Sequence, residues 1–125
     1  MDAQSLAERY VAVWNETDPD RRRRQIAQLW APDGLHYVGE REARGYEALE
    51  RRITGSHDKN VRDGGYRFRA ASDARALRDI VTFHWEMLPS GRDEVVARGP
   101  QVLLLDNTRR IRVDYQFVVD RGPPA

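Results

Sequence analysis

From residue 66 onward the chain repeats every two residues, and this constrains its fold more than any other feature. The stretches "YRFRAAS", "DIVTFHWEML", "EVVARGPQVLLLD" and "RIRVDYQFVV" alternate apolar and polar positions. That is the pattern of strands with one buried face, because successive strand side chains point to opposite sides. Turns rich in Ser, Gly, Asp and Asn separate the four stretches, so they read as a meander of long strands.

Upstream the period is helical. Leu6, Tyr10, Val13 and Trp14 recur at helical spacing behind a Ser5 and Glu8 capping box, which predicts a first helix over residues 3–16. Thr17, Asp18, Pro19 and Asp20 supply a cap, a helix-starting proline and acids for the positive end of a macrodipole. They open a second helix that reaches residue 31, with Ile26, Leu29 and Trp30 inward. Arg21 to Arg24 spread around this helix's circumference and read as solvated surface. Pro32-Asp33-Gly34 breaks the helix, and residues 35–38 form a short strand. Gly45 opens a third helix with Tyr46, Leu49 and Ile53 inward, fraying near Gly55. "SHDKNVRDGG" reads as a loop, with His57 in it.

Three helices followed by long strands predict an α+β domain whose helices cover one face of a strongly curved, mostly antiparallel sheet. A sheet bent far enough encloses a pocket beneath the helices. The 125 residues fit one domain spanning 1–125, with residues 120–125 as a frayed tail.

Composition removes several function classes. A net charge of +1 gives no excess of positive field for nucleic acid or an anionic membrane. The absence of Cys excludes disulfides, thiolate nucleophiles and Cys-ligated metals. Neither a secretory leader nor an apolar run of about 18 residues is present, so the expected location is cytoplasmic. His36, His57 and His84 lack metal-ligand spacing, and no metal site is expected. Phosphate-binding loops, nucleophile elbows and dinucleotide fingerprints are missing as well.

The stretches "YVAVWNETD", "LWAPDG", "GYEAL", "FHWEML" and "VLLLDNTRRIRV" together resemble the SnoaL-like polyketide cyclases of the nuclear transport factor 2-like superfamily, which also includes ketosteroid isomerase. The likeness covers nearly the whole chain. It implies a cone-shaped roll in which a mixed sheet bends around a pocket closed by the helices, with the outer sheet face used for homodimers. It also implies cofactor-free chemistry on a hydrophobic small molecule. By resemblance, Phe83, Trp85 and Met87 face the pocket, with Tyr10 and Trp14 approaching from the first helix. Ketosteroid isomerase uses an Asp base with a Tyr and a protonated Asp in its oxyanion hole. Tyr10 matches that Tyr, Gln101 falls where the protonated Asp would be, and the stretch His36 to Gly39 corresponds to the base-bearing strand but holds no carboxylate.

The last strand carries the central question. Ile111, Val113, Tyr115 and Phe117 fall on one face, and Arg112, Asp114 and Gln116 on the other. A two-residue turn at Asn107-Thr108 sets Gln101 opposite Asp114, Gln116 opposite Gly99 and Arg112 opposite Leu103; a four-residue turn shifts the register by two and keeps the faces. If the polar face lines a cavity, apolar walls disfavour the ionised form of Asp114 and suit it to acid–base work. Asp114 is then the proton-transfer group, Tyr10 or His36 a hydrogen-bond donor to developing negative charge, and Gln101 and Gln116 substrate contacts. Epoxide opening with Arg98 and Asp114 is a sub-case. The alternative is an Asp114 paired with Arg112 or Arg98 on an exposed or dimer-contacting face, and a purely structural His36. Three functions therefore stand: an isomerase, cyclase or hydrolase; a non-catalytic binder of a small molecule; and an interaction module with a filled cone.

Overall fold

The structure, a computed structural model, describes residues 2–119, and the tail expected at residues 120–125 lies outside them. Helices α1 (Ala3–Asn15), α2 (Pro19–Leu29) and α3 (Gly45–Ser56) pack on one face of a seven-stranded sheet. The strands are β1 (Trp30–Val38), β2 (Arg41–Arg44), β3 (Tyr66–Ala70), β4 (Arg75–Leu77), β5 (Ile80–Pro89), β6 (Ala97–Leu105) and β7 (Ile111–Gln116). Their order is β2-β1-β7-β6-β5-β3, with β4 on the free stretch of β5. Among the described strands only β1 and β7 run parallel. The sheet is mixed, curved and unclosed, the α+β cone expected from the sequence.

The core lies between the helices and the concave face. Leu6, Tyr10, Val13 and Trp14 from α1 meet Phe83, Trp85 and Met87 from β5 and Leu103 from β6 in one apolar cluster. Tyr10 is its hub, with ring centroids of Trp30 at 5.4 Å, Phe83 at 5.7 Å and Trp14 at 6.0 Å. Such tilted and edge-on pairs add to the area-driven stabilisation.

Local chemistry moves several boundaries. Asp2, not Ser5, caps α1: its extended backbone lets its carboxylate accept from Ser5 N at 2.7 Å. Helix α2 stops at Leu29 because Trp30 and Ala31 are already buried in β1. Pro32-Asp33-Gly34 is an irregularity inside that strand rather than a break before it, marked by a register shift between Trp30 and Leu35. Gly34 is required there, since a Cβ would lie 2.9 Å from Trp30 Cδ1 and 3.0 Å from the Ile111 carbonyl. The charged "REAR" stretch forms edge strand β2, with only Ala43 buried, so its alternation is nearly invisible in the sequence. Residues 57–62 are a π-helical turn, not a loop, and His57 is buried with Nδ1 3.1 Å from the Trp14 carbonyl.

The arginine run divides as well. Arg21, Arg23 and Arg24 are exposed, but Arg22 is buried and donates to the Glu16 carbonyl and to Thr54 Oγ1 at 3.0 Å. It ties the end of α1 to α3. Replacing it takes the donor from the half-buried Glu16 carbonyl and empties a buried site, so Arg22→Ala is expected to lower unfolding free energy by about 1–3 kcal/mol. Arg24→Ala should stay within about 0.5 kcal/mol of the parent. Urea denaturation of the two variants checks the contrast, and equal midpoints would refute it.

Candidate functional site

The hairpin of β6 and β7 sets the site. Asp106 accepts from Thr108 N and Arg110 N, and Arg109 takes a positive φ of 67°, giving a tight turn over residues 107–109. The ladder then slips by one residue: Leu105 pairs with Ile111 but Leu104 pairs with Val113. Arg112 is the bulged residue. As a result Ile111 and Asp114 both point inward, whereas strict alternation would separate them. Gln101 stands opposite Gln116, and Asp114 opposite Leu103, a shift of two from the register of a two-residue turn. The faces are preserved, and Gln101 reaches Asp114 diagonally. Gln116 does not stand opposite Gly99; the Phe117 carbonyl crowds that glycine instead.

Because β1 runs parallel to β7, His36 lies level with Asp114. Four polar side chains converge in a region from which water is excluded: Tyr10, His36, Gln101 and Asp114 are between 0% and 2% exposed. Tyr10 Oη donates to Asp114 Oδ2 at 2.6 Å, and His36 Nδ1 lies 2.8 Å from the same oxygen. Gln101 Nε2 donates to Asp114 Oδ1 and to Tyr10 Oη, the latter at 3.0 Å. Every partner of the carboxylate is a donor, so His36 carries its proton on Nδ1. Its Nε2, and Gln101 Oε1, have no hydrogen-bond partner among the described residues. The alternative for Asp114 is overturned. Arg112 is exposed, and Arg98 pairs across the sheet with Glu86 and is exposed. The Arg98 and Asp114 pair needed for epoxide opening is not assembled.

Burial, and after it the Asp114 charge, push the Tyr10 hydroxyl well above its ordinary value. Tyr10 therefore keeps its proton and serves as a donor throughout the physiological range. Arg52 of α3 lies over the Trp14 ring at 5.0 Å, and burial, followed among the lowering influences by the charge of Arg41, lowers its pKa. The Trp14 ring is also 5.4 Å from that of His36.

Asp114 turns inward but does not line the spaces that open toward it. The space in front of it, about 30 Å³, is bounded by Tyr10, Trp14, Phe68, Trp85, Gln101 and Gln116 among others. Asp114 and His36 sit behind Tyr10 and Gln101. Farther out, Phe68, Trp85 and Gln116 also border a cavity of about 440 Å³ that Met87 and Arg52 help to line. That cavity shares Arg41, Arg52, Gln116 and Val118 with an open groove of about 840 Å³. Phe83 borders none of these; it packs beneath Tyr10 as core. His84 points away and pairs with Asp73 at 2.6 Å. Among the described residues no three potential ligands cluster to hold a metal.

Arg52, Ser56 and Phe68 escaped the sequence reading. Arg52 and Ser56 share a helical face with Leu49 and Ile53, at i, i+3, i+4 and i+7, so the inward stripe of α3 carries the signal.

The sequence matches no family model and no curated protein. Solved structures match over nearly the full length. A SnoaL-like family protein from Agrobacterium tumefaciens, described as a candidate isomerase, is 26% identical with a TM-score of 0.82, over 94% of this chain and 97% of that one. A SnoaL-like protein of unknown function from Burkholderia thailandensis is 15% identical, with a TM-score of 0.67 over 94% of each chain. A nuclear transport factor 2-like protein of unknown function from Exiguobacterium is also 15% identical, with a TM-score of 0.69 over 92% and 98%. The curved sheet and its three helices define the nuclear transport factor 2-like class of fold. Within it, the chain is similar to two proteins described as SnoaL-like, one of them at 26% identity.

Proposed function

We propose that the protein is a small-molecule enzyme of the isomerase or cyclase kind, moving protons on a hydrophobic carbonyl-bearing or cyclic substrate. The observation that carries this reading is the fully buried hydrogen-bonded chain from Gln101 and Tyr10 to Asp114 and His36 at the inner end of a cavity. The outer space of about 440 Å³ is of the size that holds a small organic molecule. The inner 30 Å³ accommodates only a group the size of a carbonyl oxygen or a water.

Tyr10 and Gln101 border that inner space, and Asp114 stands behind them. In the proposed step, Tyr10 Oη takes a proton from the substrate as it passes its own to Asp114 Oδ2. The electron pair of the broken C–H bond passes to the substrate carbonyl oxygen, so the negative charge moves from Asp114 to the enolate, and it comes back to Asp114 when the neutral carboxyl returns the proton by the same route. His36, donating from Nδ1, steadies the carboxylate before the first half and after the second. Asp114 thus remains the proton acceptor, acting through Tyr10 rather than on the substrate directly.

The expected result is exchange of the α-protons of hydrophobic ketones such as 2-tetralone with D2O, followed by NMR. Tyr10→Phe removes the relay and should slow exchange by about 10²-fold or more. A parent protein that leaves every ketone in the panel at the buffer rate would defeat the catalytic reading. The small inner space favours a second reading, in which the outer cavity holds a ligand without turnover. Quenching of Trp85 fluorescence by ketones that do not exchange would select it. Assembly as a homodimer through the outer sheet face completes the proposal, supported by Tyr115, stacked on Tyr37 at 5.5 Å and 42% exposed; sedimentation velocity decides it.

No helix among the described residues is long and apolar enough to cross a membrane.

A further inference from the structure

The outer cavity has one apolar end and one cationic end. Phe68, Trp85 and Met87 form its depth, and Arg41, Arg51, Arg52 and Lys59 stand around its opening. Among the described residues no acid lines it. Arg51 is matched by Glu47 at 2.9 Å, but Arg41, Arg52 and Lys59 form no ion pair with any described residue. Arg52 is the most enclosed of these, pinned over the Trp14 ring with its Nε buried and lacking an acceptor. The wider groove outside adds one acid, the exposed Glu40.

Elsewhere on this chain some cations are paired, as with Arg23 and Glu50 or Arg69 and Glu86, and others, such as Arg24, Arg75 and Arg112, are exposed singly on the surface. What sets Arg41, Arg52 and Lys59 apart is that they share the wall of one cavity whose lining holds no acid. A guanidinium with unused donors at the rim of an apolar slot matches a planar, singly charged acceptor. Burial disfavours the cationic form of Arg52, and the Arg41 charge adds to this against the opposing influence of Tyr10 and Asp114; an anion bound beside the guanidinium would offset the cost.

We propose that the ligand of this cavity is a hydrophobic small molecule bearing an anionic group, a carboxylate or its equivalent, held at the mouth by Arg52 and Arg41 while its apolar body lies on Phe68 and Trp85. This rests on the small-molecule reading of the cavity and specifies the class of molecule. The anchor fixes orientation: the end remote from the charge points toward Gln116, Gln101 and Tyr10.

Isothermal titration with 2-naphthylacetate and 2-naphthylacetamide, matched in shape and differing in charge, tests it. The acetate is expected to bind about tenfold or more tighter than the amide at low salt, with the gap narrowing at high salt. Arg52→Gln should remove most of that preference and leave amide binding in place. Arg41→Gln, an exposed position, should reduce it by a smaller factor and covers the case in which the Arg52 variant fails to fold. Equal affinity for the two probes, no binding of either, or a preference untouched by both variants would each overturn the proposal. The readout involves no turnover. A protein that prefers the acetate but never exchanges ketone protons keeps the anion site and loses the catalytic reading; one that exchanges protons but binds both probes equally loses only the anion site.

Discussion

Asp114→Ala is expected to lower the free energy of unfolding by about 3–5 kcal/mol, the largest effect of any polar substitution in this chain. The carboxylate is the shared acceptor for Tyr10 Oη, His36 Nδ1 and Gln101 Nε2, all of them buried. Removing it leaves three donors with neither protein nor bulk water to accept from them, and adds a small void. Asp114→Asn keeps the volume but turns an amide N–H toward groups that are themselves donors. It should cost less than the alanine, about 1–3 kcal/mol, while still removing the proton acceptor. Tyr10→Phe leaves the carboxylate two of its three donors and should be the mildest of the three. Urea unfolding with a constant m-value ranks them. An Asp114→Ala protein within about 1 kcal/mol of the parent would mean that the four groups repair the loss among themselves or with water, and that the network does not hold this part of the core.

Gly99→Ala should cost about 2–3 kcal/mol, by crowding rather than by lost burial. A Cβ on residue 99 would lie 1.9 Å from the Phe117 carbonyl oxygen and 3.0 Å from Trp85 Cζ2. Backbone cannot yield as a flexible side chain would, so the segment after β7 must lift away. That segment donates from Phe117 N to the Pro100 carbonyl at 3.0 Å and accepts from Trp85 Nε1 at 3.1 Å. Both bonds go with it, and Trp85 loses the contact that sets its ring against the inner cavity. The expected signature is a lower thermal midpoint together with altered Trp fluorescence. A variant with parental stability and spectrum would show that the chain beyond Gln116 has room to retreat.

The succession of helices and alternating strands was legible because each element buries one face and the period of that face is written in the apolar residues. That Asp114 shares a face with Gln101 was legible through parity, which survives a register error of two, and the family resemblance supplied which face is inward. What failed were features whose cause lies outside the local stretch. The bulge at Arg112 follows from the three-residue turn before it, and it sends Ile111 to the same side as Asp114. The burial of Arg22 depends on a carbonyl of α1 and a hydroxyl of α3 that only the tertiary fold brings near. Edge strand β2 hid behind its charges. For His36, the short strand left both faces open, and the parallel pairing with β7 decided between them. The retreat of Asp114 behind Tyr10 is likewise a matter of depth, which periodicity does not encode.

That single parallel pairing has a consequence for how the chain reaches its final state. Tyr10 and Asp114 are 104 residues apart, and His36 and Asp114 are separated by 78. Closing contacts over such spans is entropically slow, and during synthesis at about 5–20 residues per second the helices emerge seconds before the strand they need. Until then Tyr10 and His36 have no acceptor, and the helices have only a partial sheet to shelter against. The contacts of Asp114 with Tyr10 and His36 therefore cannot close until nearly the whole described chain has been made.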